Sequence, residues 1–255
     1  MDPRAKRLAE QLRRLGDVRP GRGGGGRPRG YAFAGHGGNA SGITELLRRC
    51  YYPDYRYRGG ATGEKGKGPR GMRRGTKVDV EVRGVVRALA AGETWKPGRD
   101  THPLTTKFVR ALDVLGLEPV TAQTCVGDPG EGLATGVDLV AMDRKTGRLV
   151  LVELKCGFNG YNDRGTGPMR HELAGFMNSP RFQHQLQLAV TLELFVRTFG
   201  LAPQTAYVLC ANDNGVAYHE LEPAVKALAP AMVARLRARR AAGPDPAPRR
   251  GRRTM

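Results

Sequence analysis

Residues 136–155 read GVDLVAMDRKTGRLVLVELK, two apolar runs joined by a polar tetrapeptide. Both runs are short and rich in Val and Leu, and the RKTG between them ends in glycine. The segment is therefore predicted to be an antiparallel pair of buried strands closed by a tight turn. Buried strands tolerate carboxylates badly, because an uncompensated charge costs several kcal/mol. Yet Asp138 lies inside the first run and Glu153 inside the second, with Lys155 two residues on. If residues 144–147 form the loop and Asp143 pairs with Arg148, Asp138 falls opposite Glu153 on one face, β-carbons about 5 Å apart. Period-two alternation puts Lys155 on that face as well. Like charges so placed repel, and a divalent cation between them is the natural compensation. Oxygen-only ligation suits Mg2+, with Mn2+ as the alternative. Such a cation lowers the pKa of a water, and a nearby ammonium steadies charge developing on a phosphate. This is equipment for hydrolysing a phosphodiester. The bland alternative is a solvent-facing pair of carboxylates bridged by Lys155.

The rest of the chain supplies helices around this hairpin. Helices are predicted over ASGITELLRRCYYP with Ser41 as N-cap, from Lys77 onward, over PLTTKFVRALDVLG, over PRFQHQLQLAVTLELFVRTFG and over PAVKALAPAMVARLRARR. EPVTAQTCV reads as a further strand, QTAYVLCA and VAYHELEP as a hairpin about NDNG, and residues 157–179 as a glycine-rich loop. The order implies an α/β fold, a mixed central sheet flanked by helices, in one domain spanning 31–241.

Charge is unevenly spread. Of the net +18, residues 1–30 carry +6 and residues 235–255 carry +7. Both ends are rich in Gly, Pro and Arg, so 1–30 and 242–255 are predicted to be disordered basic tails that neutralise phosphates without reading sequence, although the first fifteen residues, MDPRAKRLAEQLRRL, also suit a short basic amphipathic helix. No apolar run approaches the ~18 residues of a membrane span, so no membrane partner is expected. The four cysteines, Cys50, Cys125, Cys156 and Cys210, form no CxxC pair. That argues against zinc, an iron–sulfur cluster or a disulfide scaffold, and for a reducing, intracellular compartment.

GVDLV followed by LVELK resembles the motif of the PD-(D/E)XK nuclease superfamily, with Asp138 as its first acid and Glu153-Leu154-Lys155 as its ExK. RGTKVD (residues 74–79) resembles the RGT helix start of RecB-like nucleases. RFQHQLQLAVTLELF is similar to the glutamine-bearing helix of RecB-like, mitochondrial genome maintenance exonuclease-like and lambda exonuclease-like members. Asp79 stands where the RecB-like motif has histidine, with Glu81 close by. The resemblance spans about residues 40–200 and implies a restriction-endonuclease-like core. It also implies that the carboxylates of Asp138 and Glu153 and the backbone carbonyl of Leu154 bind the metal, completed by Asp79 or Glu81. Lys155 would position the attacking water. Gln187 is the favoured functional glutamine, with Gln185 second. Arg74, Lys77, Gln185, Tyr161, Arg164 and Arg170 are the candidate DNA contacts, the last three on a loop that could equally be plain surface. Tyr51, Tyr52, Tyr55 and Tyr57 suit either base stacking or packing. The expected activity is a Mg2+-dependent deoxyribonuclease, foremost an exonuclease on DNA ends or single strands in replication, repair or recombination. An endonuclease or resolvase of the same fold is the runner-up, and a non-catalytic basic DNA-binding or packaging protein the reading of another class. Ring-forming relatives leave a homo-oligomer open.

Overall fold

The computed structural model describes residues 3–15, 18–22, 28–33, 39–53, 69–156 and 165–242. In chain order the elements are α1 (Pro3–Leu15), β1 (Val18–Arg22), β2 (Pro28–Phe33), β3 (Asn39–Gly42), α2 (Ile43–Tyr51), α3 (Pro69–Ala90), α4 (Pro103–Val114), β4 (Leu117–Asp128), β5 (Leu133–Asp143), β6 (Leu149–Cys156), a 3-10 turn at His171–Leu173, α5 (Pro180–Phe199), β7 (Thr205–Asn212), β8 (Gly215–Glu220), α6 (Pro223–Ala227) and α7 (Ala229–Ala241). The fold is α/β. Its mixed sheet runs β1-β2-β3-β5-β6-β7-β8, with β4 also paired to β5 and helices on both sides. The β3–β5 and β6–β7 pairs are parallel and the others antiparallel. Among the described residues, no helix is long and apolar enough to cross a membrane.

The hairpin of β5 and β6 closes as its turn residues dictate. Asp143 N–H donates to Arg148 O (2.9 Å) and Gly147 N–H to Asp143 O (2.7 Å). The Asp143 carboxylate accepts from the backbone of Lys145 and Thr146 at 2.7 and 2.9 Å, and Gly147 takes the left-handed φ of 69° that glycine adopts without strain. The ladder then runs from Met142↔Leu149 to Leu139↔Val152 in the expected register.

β6 is covered on both faces, which explains its unbroken apolar run. Leu151 joins a core with Leu186, Ala189 and Val190 of α5, Leu47 of α2 and Val233 of α7. Val150 and Val152 join another with Val78, Val82 and Val86 of α3 and Phe108 of α4. Each such side chain contributes roughly 1.5–3 kcal/mol by leaving water.

One edge of β5 is shared between two strands. β3 pairs with Leu133 and Ala134, β6 pairs with residues 139–142, and β4 runs along the opposite edge. Among the described residues no strand pairs with 135–138 on the shared edge, and Asp138 stands at that gap.

Several expectations are corrected. Residues 3–15 form the amphipathic helix their pattern allows, α1, but not as part of a disordered tail: its Ala5, Ala9 and Leu12 lie at helical spacing and are buried in the same cluster as α5. β1 and β2 follow it and reach the sheet through β3, so the folded unit begins well before residue 31. Ser41 is not the cap of α2. Gly42 holds that position without a side-chain bond, and the Ser41 backbone N–H donates to Gly132 O at 3.0 Å. α3 starts at Pro69, two turns before Lys77. The last helix is two, separated at Leu228 just before Pro230, which cannot donate a helical hydrogen bond. Residues 243–255, in the expected C-terminal tail, lie outside the described residues.

Candidate active site

Glu153 is 2% exposed and lies on the α5 side of β6. Its Oε1 accepts from the Lys155 ammonium, which reaches back along the same face of the strand, and from Gln187 Nε2 at 2.7 Å. α5 can deliver that amide because it is anchored at both ends. Ser179 caps its first turn (Phe182 N–H to Oγ, 3.3 Å), and Gly200 ends it in the left-handed region. Asp138 stands where the β5–β6 ladder stops. Its Oδ2 accepts from Leu154 N–H at 2.9 Å, so Asp138 is tied to the backbone of β6 between Glu153 and Lys155.

Asp79 joins from α3. Its Oδ2 pairs with Arg83 at 2.9 Å and its Oδ1 accepts from Gln123 Nε2 at 2.9 Å. The same Gln123 nitrogen donates to Asp138 Oδ1 at 3.1 Å. Glu81 does not join. Two residues on from Asp79 a helix has turned about 200°, and the Glu81 carboxylate instead accepts from His102 N–H (2.9 Å) and Thr105 Oγ1 (2.5 Å), anchoring the start of α4. Between the two expected candidates, the structure brings Asp79 to the acids and turns Glu81 away.

Electrostatics follow from burial. Burial, and then Asp138, push the Glu153 carboxyl up to about 7 against the pull of Lys155 and Gln187. Burial raises Asp79 too, with Asp138 adding to it and Arg83 and Gln123 opposing. Burial by itself would lower the Lys155 ammonium, but Glu153 and Asp138 outweigh it and hold Lys155 above the ordinary lysine range. The site thus has more carboxylate than its one buried ammonium balances.

The remaining candidates are dispersed. Gln185 is fully buried and structural: Nε2 donates to Glu220 O (3.0 Å) and Oε1 accepts from Glu222 N–H (2.9 Å), pinning the β8–α6 junction to α5. It is not a DNA contact. Arg74 reaches Asp213 Oδ1 at 2.7 Å, and Lys77 reaches Asp100 O at 3.0 Å, both near the surface. Arg170 donates to Pro53 O at 2.7 Å, which ties residues 165–179 to the end of α2. Leu154 lends its N–H to Asp138 and packs its side chain toward α3 and α4. Tyr161 and Arg164 lie outside the described residues, as do Tyr55 and Tyr57. Tyr51 and Tyr52 are buried, Tyr51 donating to Glu172 Oε1 at 2.7 Å, so both belong to packing rather than to base stacking.

Two residues at the site escaped the sequence reading. Gln123 is one, and the β4–β5 register, had it been known, places it across from Asp138. Tyr31 of β2 is the other. Its phenol is raised by burial and by Cys125, with Asp138 and Glu153 among its electrostatic neighbours.

Replacing Gln185 by leucine strands the Glu220 carbonyl and the Glu222 N–H. It is expected to cost roughly 2–4 kcal/mol in a urea melt while leaving any activity per folded molecule unchanged. Loss of activity at unaltered stability would return Gln185 to the site.

Among the described residues, no group of three or more His, Cys, Asp or Glu side chains is arranged to hold a metal ion. No family model matches the chain, and no curated protein matches it. The solved structure "Crystal structure of SSO0001" aligns over 68% of this chain and 72% of that one at 14% identity, with a TM-score of 0.28. At that score the likeness carries no argument.

Proposed function

We propose that this chain is a Mg2+-dependent deoxyribonuclease that hydrolyses phosphodiester bonds, acting foremost as an exonuclease on DNA ends or single strands. One observation carries the reading: a carboxylate 2% exposed, Glu153, held by Lys155 and Gln187 beside Asp138. A buried acid pushed up to about 7 with a second acid beside it is an arrangement that calls for more positive charge than Lys155 supplies.

The donor set fits a hard divalent cation, since it is all oxygen and carries excess negative charge. Asp138, Glu153 and the Leu154 carbonyl would hold the ion, with Asp79 as the further carboxylate. Bound there, it would supply Lewis acidity toward the phosphate and the attacking water. The chain's own groups do the rest. Gln187 fixes the orientation of the Glu153 carboxylate. Lys155, positively charged throughout the neutral range, donates hydrogen bonds to the attacking water or to a phosphate oxygen that gains charge in the transition state. The preference for ends rests on the resemblance of α5 and of the RGT start to exonuclease members.

The test is cleavage of end-labelled linear DNA and of a matched closed circle, in Mg2+ or EDTA, by the wild-type protein and Glu153→Gln. The expected result is Mg2+-dependent loss of the linear substrate alone, absent in the variant. Cutting of the circle would favour the endonuclease or resolvase. No cleavage of either, with DNA binding intact, would leave a non-catalytic DNA-binding protein.

A further inference from the structure

Gln123 occupies a backbone conformation that glutamine rarely adopts. Its φ is +54°, and among the described non-glycine residues only His171, at +58°, shares that sign. An L side chain there crowds its own backbone, and residues kept in such regions are held by their surroundings and gather at functional sites. The kink sits where both strands change face. Ala122 and Leu139 pair and pack on the α3–α4 side, whereas Val126 and Val137, four and two residues away from them, pack on the α5 side, and the pairing register is the same before and after Gln123.

The left-handed backbone at this crossover also sets the aim of the side chain. The amide nitrogen has two hydrogens, and each finds a carboxylate: Asp79 Oδ1 at 2.9 Å and Asp138 Oδ1 at 3.1 Å. The carbonyl end packs against Gly136, where an added Cβ would stand 3.5 Å from Oε1. Asp79 comes from α3 and Asp138 from β5, two elements with no covalent reason to present their acids together. A neutral amide joins them without cancelling either charge. A lysine in its place would hold the same two acids but neutralise them.

We propose that Gln123 is a positioning residue of the candidate site, holding Asp79 and Asp138 side by side so that a divalent cation meets a preformed pair of oxygens. The inference rests on the metal-dependent reading above. The amide bridge, not the backbone, carries this placement, so removing the amide should weaken the cation even where the backbone is kept.

The experiment is Mn2+ titration by isothermal calorimetry, together with thermal melts in EDTA, on the full chain. Wild type, Gln123→Gly and Gln123→Met are compared. Glycine adopts the left-handed backbone without strain and removes the amide; it is expected to keep the fold and to bind Mn2+ about 10–100-fold more weakly. Methionine keeps length and packing without donors, and is expected to show the same loss of affinity with a lower melting temperature in EDTA, because both acids lose a donor. Either variant binding Mn2+ as tightly as wild type would overturn the proposal while leaving the nuclease reading in place. A wild-type protein that binds no Mn2+ would remove both.

Discussion

Lys155→Met is expected to lower DNA cleavage by about 10²–10⁴-fold, the range found when a positioned transition-state donor is lost. Lys155→Arg is not expected to restore it, because a planar fork on a longer stem does not place charge where a compact ammonium does. The same substitution has a second, pH-dependent consequence. Lys155 is the counter-charge of Glu153, and removing one partner of a buried pair costs roughly 3–5 kcal/mol while the other remains ionised. Glu153 has an escape, since its carboxyl is already raised to about 7 and rises further once the ammonium is gone. A carboxyl raised in the folded state contributes stability below its ordinary pKa and loses it as pH climbs through the raised one. Lys155, raised in its own right, contributes stability at every pH below the ordinary lysine range, so it adds no slope near neutrality. The deficit in melting temperature relative to wild type should therefore be small at pH 5.5 and large at pH 8. Equal deficits at the two values would mean that Lys155 does not compensate Glu153.

The hairpin was legible because its information is local. RKTG fixes a turn, and the turn fixes the register as far as Leu139↔Val152, one pair short of Asp138 and Glu153, where Asp138 instead accepts from Leu154 N–H. Elements whose fate is decided by distant packing were not. The amphipathic pattern of α1 could be read, but its stripe of Ala5, Ala9 and Leu12 is thin, and nothing in fifteen residues announces that α5 and β4 will cover it. β1 and β2 contain Pro and Gly and lack alternation, yet pair through β3. On α5, Gln185 and Gln187 differ by two residues and hence face different ways. Which one meets Glu153 depends on how the helix is rotated against the sheet, a tertiary fact. Asp79 and Glu81 pose the same problem on α3. Gln123 was hidden for another reason, because a positive φ at a non-glycine residue leaves no mark in sequence.

Glu153→Gln should abolish cleavage, and its larger diagnostic effect lies in stability without metal. The side chain keeps its size and its acceptor oxygen, so Gln187 still has a partner while the titrating group is gone. In wild type the Glu153 carboxyl moves from 4.5 to about 7 on folding. Between those values the folded state holds a proton that the unfolded state has released, so stability falls as pH rises, by on the order of 3 kcal/mol in all. Melting curves in EDTA should decline from pH 5 to pH 7.5 for wild type and be distinctly flatter for Glu153→Gln, with a residual slope from Asp79, whose carboxyl is raised as well. Adding Mg2+ should reverse the wild-type decline. A ligand that binds only the folded state stabilises in proportion to its occupancy, and an ionised Glu153 favours the cation over the proton. The Mg2+-induced rise in melting temperature is thus expected to be greater at pH 8 than at pH 6 in wild type and absent in the variant. If Glu153→Gln kept the full wild-type slope, the proton would reside on another group. Asp79→Asn would then be the variant to melt, because Asp79 is the other raised carboxyl that Gln123 ties to Asp138.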